Sequence, residues 1–171
     1  MSDYFPQSAL TKRGFSPIID EASRVLILGT MPSEESLRRQ EYYGHPRNQF
    51  WHILSAIYQV PFAEAYPDRV ALLHQKQLAV WDVLEYCERR GSLDQAIRKA
   101  VPNDFRGLFA TYQNLRVIVL NGQKAFHLFE HRVLTQQALT QLPRWLMPST
   151  SPAATMPLAE KIKRWSRIIE V

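Results

Sequence analysis

Residues 25–33 read Val25-Leu26-Ile27-Leu28-Gly29-Thr30-Met31-Pro32-Ser33. Four apolar residues stand in succession, two of them β-branched, and the run stops at a glycine. A strand with one face in water would alternate apolar and polar positions, whereas an unbroken apolar run suits a parallel strand covered on both faces. The pattern recurs along the chain. Leu78-Ala79-Val80-Trp81 stops at Asp82, Val117-Ile118-Val119-Leu120 stops at Asn121-Gly122, and a weaker run, Arg144-Trp145-Leu146-Met147, stops at Pro148. Between these runs the apolar spacing is helical. Phe50, Ile53, Leu54 and Ile57 make one stripe, Ala125, Leu128 and Phe129 a second, and Leu158, Ile162, Trp165 and Ile169 a third. Strands alternating with helices predict an α/β fold with right-handed crossovers.

Each strand run leads directly into a polar or conformationally special segment: Gly29 to Ser33, Asp82, Asn121-Gly122, and Pro148-Ser149-Thr150-Ser151-Pro152. Ligands of open α/β sheets bind outside the carboxyl ends of the strands, so these four segments are expected to converge on one site. Polar loops are ordinary, but that alone does not account for two separate Pro-Ser segments.

Composition narrows the chemistry. The chain has 171 residues, which predicts a single domain over 1–171 with no need of covalent staples. Hydrophobic residues make up 46% and charged residues 22%, which argues against disorder as the main state. The single cysteine, Cys87, excludes an intramolecular disulfide and any all-cysteine metal or iron–sulfur site in this chain. The five histidines suggest no metal site, because no two are read at the helical spacing that a metal pair needs. No cofactor is expected. No apolar run reaches about 18 residues, and Met1-Ser2-Asp3-Tyr4 shows no basic-then-apolar leader. A reducing cytoplasm, in association with the nucleoid, is the expected location. The net charge of +5 permits a polyanionic partner without proving one.

Two segments stand out as candidate chemistry. Tyr42-Tyr43-Gly44-His45-Pro46-Arg47-Asn48-Gln49-Phe50-Trp51 combines aromatics, a Gly-then-Pro turn and an Asn placed to cap a helix starting at Gln49. It reads either as a helix cap with a core-facing Phe50-Trp51 pair or as a pocket wall. In the second case Tyr43 would stack on a base and the Asn48 amide would orient water or a polar edge. Met147-Pro148-Ser149-Thr150-Ser151-Pro152-Ala153 reads either as a rigid turn or as a phosphate-contacting loop rich in hydroxyls and free N–H groups. The Gly29 to Ser33 loop has neither a phosphate-loop lysine nor a GxGxxG pattern, so a nucleoside triphosphate or dinucleotide is not supported.

Taken in order, these segments resemble the uracil-DNA glycosylase superfamily, and within it the hypoxanthine-DNA glycosylase family. The matching text is Val25 to Ser33, Tyr42 to Trp51, Trp81-Asp82-Val83-Leu84, Gly91-Ser92-Leu93-Asp94, Asn103-Asp104-Phe105, Asn121-Gly122 and Pro148 to Ala153, spread over roughly residues 24–165. The resemblance implies a three-layer αβα fold around a mainly parallel four-stranded sheet. It implies an enzyme that flips a damaged base out of DNA and hydrolyses its N-glycosidic bond without a metal.

Position by position, the resemblance makes Asn48 the catalytic residue, holding water against C1′. Met31 stands where better-known members carry Asp or Asn, and Met147 stands where they carry His. Gly29, Thr30, Met31, Tyr43, Asp82 and Asn121 would form the base pocket, although Asp82 also reads as a helix cap. Pro32, Ser33, Arg47, Pro148, Ser149, Thr150 and Ser151 would meet DNA, with Ser149 pressing on phosphate and Ser151 standing where some relatives insert a leucine wedge. Lys161, Lys163, Arg164 and Arg167 would add a basic face, or form an ordinary solvated one. No motif lysine suggests a Schiff base, so a monofunctional monomer acting on single- or double-stranded DNA is expected. Uracil or xanthine as the main base, an inactive lesion-binding protein, and a small-ligand domain are the competing readings.

Overall fold

The computed structural model describes residues 10–135 and 141–171; the stretch 1–4 read for a leader lies outside them. In chain order the strands are β1 (Thr11–Arg13), β2 (Val25–Gly29), β3 (Leu78–Asp82), β4 (Leu84–Glu88), β5 (Arg98–Pro102), β6 (Val117–Asn121) and β7 (Arg144–Met147). The helices are α1 (Glu34–Arg39), α2 (Phe50–Ile57), α3 (Tyr66–Gln75), α4 (Phe105–Thr111), α5 (Gln123–Leu128) and α6 (Leu158–Trp165).

All four apolar runs form strands of one sheet, in the order β3-β2-β6-β7, with every neighbouring pair parallel. β2, β3 and β6 are buried at every residue, which is why their sequences show no alternation. β7 lies at the edge and keeps Arg144 and Leu146 exposed. Helices cover the sheet: α3 packs on β3, α5 on β6, and α6 on both β7 and α2. Phe50, Phe105, Phe129 and Trp165 are fully buried between the layers, with Phe105 meeting Phe129 edge-on at 5.4 Å. The chain leaves β2 toward β3 on one side and reaches β6 on the other, so the strand order reverses beside Gly29 and Asn121.

The structure adds a second sheet that periodicity misses. β1, β4 and β5 form an antiparallel sheet in the order β1-β4-β5. Its strands are short and rich in Lys, Arg and Glu, and register shifts between β4 and β5 break the alternation. Only Val83 separates β3 from β4, so a strand resumes where the sequence suggests a stop. Two further differences concern helices. The third stripe is α-helical only to Trp165 and continues as a 3-10 turn over Ser166–Glu170. His127 and His131 do stand four residues apart, correcting the reading of the histidines; their rings lie 4.2 Å apart. Among the described residues no cluster of three His, Cys, Asp or Glu side chains completes a metal site.

Candidate active site

The carboxyl ends of the parallel strands open into a cavity of about 750 Å³. Gly29, Thr30, Met31, Pro32, Ser33, Tyr43, Arg47, Asn48, Asp82, Asn121, Ser149, Thr150 and Ser151 all line it. Pro148, on the same loop, does not line it, nor do Lys161, Lys163, Arg164 and Arg167. The Pro148 carbonyl instead accepts a hydrogen bond from the buried Trp165 indole at 2.9 Å.

Sheet register builds the inner end. Gly29 on β2 stands directly beside Asp82 on β3. A Cβ at Gly29 would come within 2.6 Å of Asp82 Oδ1 and 3.0 Å of Tyr43 Oη, so only glycine leaves both groups room. Asp82 is 4% exposed, and its Oδ2 has no hydrogen-bond partner among the described residues. Burial, reinforced by the nearby Asp94 carboxylate and opposed by Arg89, pushes its pKa up to about 7. Burial also raises the Tyr43 phenol above its ordinary range, with the Asp82 charge adding to the effect, so the hydroxyl stays neutral.

Tyr43 sits at φ +53°, and its ring stacks on Phe50 at 4.0 Å with an interplanar angle of 26°. Asn121 holds the same wall. Its Nδ2 donates to Tyr43 Oη at 3.2 Å and to Thr150 Oγ1 at 3.0 Å, and its Oδ1 accepts from the Thr150 N–H at 3.0 Å. Read from sequence as a base contact, Asn121 spends both donors on locking Tyr43 and Thr150 together.

Asn48 Oδ1 accepts the Phe50 N–H at 2.9 Å, and α2 begins at Phe50, one residue later than expected. One lone pair of Oδ1 and the Nδ2 group, which has no partner among the described residues, remain for the cavity. Gln49, not Asn48, is the N-cap residue and makes no side-chain cap bond, so Asn48 stands one position before the cap, accepts the first helical N–H and still lines the cavity. The segment is fixed to the Pro-Ser loop, since the Gln49 N–H donates to Thr150 O at 3.0 Å. Lys161, expected on a basic surface, is buried. Its Nζ donates to Gln49 Oε1 at 2.8 Å and to Ala154 O at 3.2 Å.

In the Pro-Ser loop, Ser149 Oγ accepts from the Ser151 N–H and Ser151 Oγ from the Ala153 N–H, each at 3.2 Å. Ser33 caps α1, accepting the Ser36 N–H at 3.1 Å, and the carbonyl of Pro32 is taken by Arg89. Arg47 is exposed at the cavity.

Sequence reasoning assigned no role to the remaining wall, Ser92 to Gln95, or to Arg89 behind it. Asp94 Oδ2 accepts from Thr30 Oγ1 at 3.1 Å, and burial raises its pKa as well. The Gly91 to Asp94 match was the available signal. Arg89 offered none, because an Arg-Arg pair reads as surface, yet it is 1% exposed.

A family model described as the uracil DNA glycosylase superfamily matches residues 16–169. A protein named hypoxanthine DNA glycosylase from Methanosarcina acetivorans is 41% identical over 117 residues, covering 68% of this chain and 74% of that one. Its namesake from Methanosarcina barkeri is 36% identical over the same shares. The solution NMR structure of a protein described as a uracil DNA glycosylase from Methanosarcina acetivorans superposes with a TM-score of 0.79. It is 32% identical and is matched over 93% of this chain and 96% of its own. This chain belongs to the uracil DNA glycosylase superfamily. It is a DNA glycosylase, and its fold is that of the superfamily.

Proposed function

We propose that the chain excises deaminated bases, hypoxanthine foremost, and that the cavity holds the flipped base. The observation that carries this reading is the buried, unpartnered Oδ2 of Asp82 at the cavity's inner end. Hypoxanthine presents an N1–H donor where adenine presents a bare N1 acceptor. Ionised, above about pH 7, the unpartnered carboxylate oxygen accepts the first and repels the second. Uracil and xanthine also carry such an N–H, as do guanine and thymine, so the group discriminates against adenine and cytosine, the parents of hypoxanthine and uracil. The names of the two methanosarcinal relatives support hypoxanthine as the base.

Tyr43, backed by Phe50, offers its ring to the base. Asn48 orients a water through the free lone pair of Oδ1 and aligns it on C1′. The water oxygen bonds to C1′, the C1′–N9 bond breaks with its electrons leaving on the base, and the water's proton passes to solvent. An amide is too weak a base to remove that proton itself, so its contribution is fixed dipole and position. Arg47 and the Pro-Ser loop meet the DNA backbone, and the protein acts as a monomer of one domain.

Duplexes carrying one hypoxanthine, uracil, xanthine or adenine, treated with alkali after incubation, test the reading. Hypoxanthine is cut fastest and adenine is spared. Asn48→Ala loses about 10²–10³-fold in single-turnover rate, the scale of a lost oxyanion-hole donor. Asp82→Asn, whose NH₂ donates to adenine N1, narrows the hypoxanthine-over-adenine preference. Borohydride traps no covalent complex. Tight binding of damaged DNA with no cleavage of any lesion would replace the enzyme reading with a lesion sensor.

A further inference from the structure

The cavity wall between β4 and β5 presents Leu93, which is 53% exposed, more than any other large apolar residue described. The stretch around it is held by both backbone and side-chain hydrogen bonds. Arg89 donates through Nε to Gly91 O at 2.9 Å and through Nη2 to Pro32 O. The Glu34 N–H donates to Ser92 Oγ at 3.0 Å, and Thr30 Oγ1 donates to Asp94 Oδ2 at 3.1 Å. The carbonyl of Leu93 itself accepts the Ala96 N–H at 3.0 Å. Gly91, at φ +73°, lets the chain turn into this stretch. The result is a loop held on several sides that displays one apolar side chain to water at the edge of the cavity.

Moving a base out of a duplex leaves a hole in the stack, and an apolar side chain inserted there stabilises the opened step. Ser151, on the Pro-Ser loop, is too small and polar for that work, and its hydroxyl already accepts the Ala153 N–H. We propose that Leu93 enters the stack and occupies the space vacated by the flipped base. This inference rests on the glycosylase reading above and adds the residue that keeps the base extrahelical.

The test compares wild type with Leu93→Ala in single turnover on a duplex and on a single strand bearing the same deoxyinosine. The truncation removes an exposed side chain, and an unchanged melting temperature verifies the fold. The rate is expected to fall about tenfold or more on the duplex and to change by less than about twofold on the single strand, which has no stack to hold open. Leu93→Met, apolar and of similar volume, restores most of the duplex rate. Equal losses on both substrates, or no loss on the duplex, overturn the wedge. Wild-type activity confined to the single strand overturns the wedge alone. A wild type that leaves both substrates intact overturns the glycosylase reading and the wedge with it.

Discussion

Asp82 keeps its proton to about pH 7 in the folded chain and releases it near the ordinary 3.8 when unfolded. Folding is therefore favoured below about pH 4 as far as this group is concerned, and that advantage is lost as the pH rises through about 7. The slope for a single such group is at most about 1.4 kcal/mol per pH unit. Asp94 acts with the same sign, while Arg89 opposes both. Asp82→Asn is expected to flatten the decline in stability between about pH 4 and 7 and to melt higher than wild type at pH 8, as urea or thermal titration across that range would reveal. Unchanged pH dependence would mean that the carboxyl is solvated. The same variant links stability to selectivity, because the carboxyl that costs folding energy at neutral pH is the one proposed to reject adenine.

At the scale of elements, Gly122 fixes how closely the end of β6 approaches the Pro-Ser loop. It sits at φ +97°, ψ +164°, and a Cβ there would lie 3.0 Å from Ser149 Cβ. That backbone region is essentially reserved for glycine, so Gly122→Ala is expected to cost on the order of 1–3 kcal/mol in denaturant unfolding. Activity should fall further than stability explains, because the clash displaces Ser149 while Asn121 still grips Thr150. The parallel strands and the Asn48 and Pro-Ser segments were legible because long apolar runs and turn chemistry are local signals. The small sheet was not, because Thr11–Arg13 and Arg98–Pro102 carry charge where strand patterning needs alternation. Leu93 and Asp94 stood within a matching segment but received no role, for a related reason. Their wall is set by contacts of Arg89, Ser92 and Asp94 with Pro32, Glu34 and Thr30, some sixty residues away, and no local pattern encodes such distance.

Across the whole molecule the net charge of +5 is spread unevenly in its availability. Arg38 and Arg39 both pair with Glu35, Arg164 pairs with Glu160, Arg167 lies over the Trp145 ring at 3.8 Å, and Lys161 is internal. Arg47 is exposed at the cavity and forms no ion pair among the described residues. Arg47→Ala is expected to reduce the slope of log affinity for DNA against log salt by about 1, and an unchanged slope would remove Arg47 from the phosphate contacts. Arg164→Ala should leave the slope nearly unaltered.

The sheet order also has a temporal side. The cavity draws on Gly29, Asp82, Asn121 and Thr150, and the Pro-Ser loop is fastened by Lys161 and Trp165, so its parts are dispersed over nearly the full chain. A polypeptide still emerging from the ribosome has no complete cavity wall until Leu158–Trp165 is free to dock. A product that ends before Lys161 lacks the contacts that fasten the Pro-Ser loop.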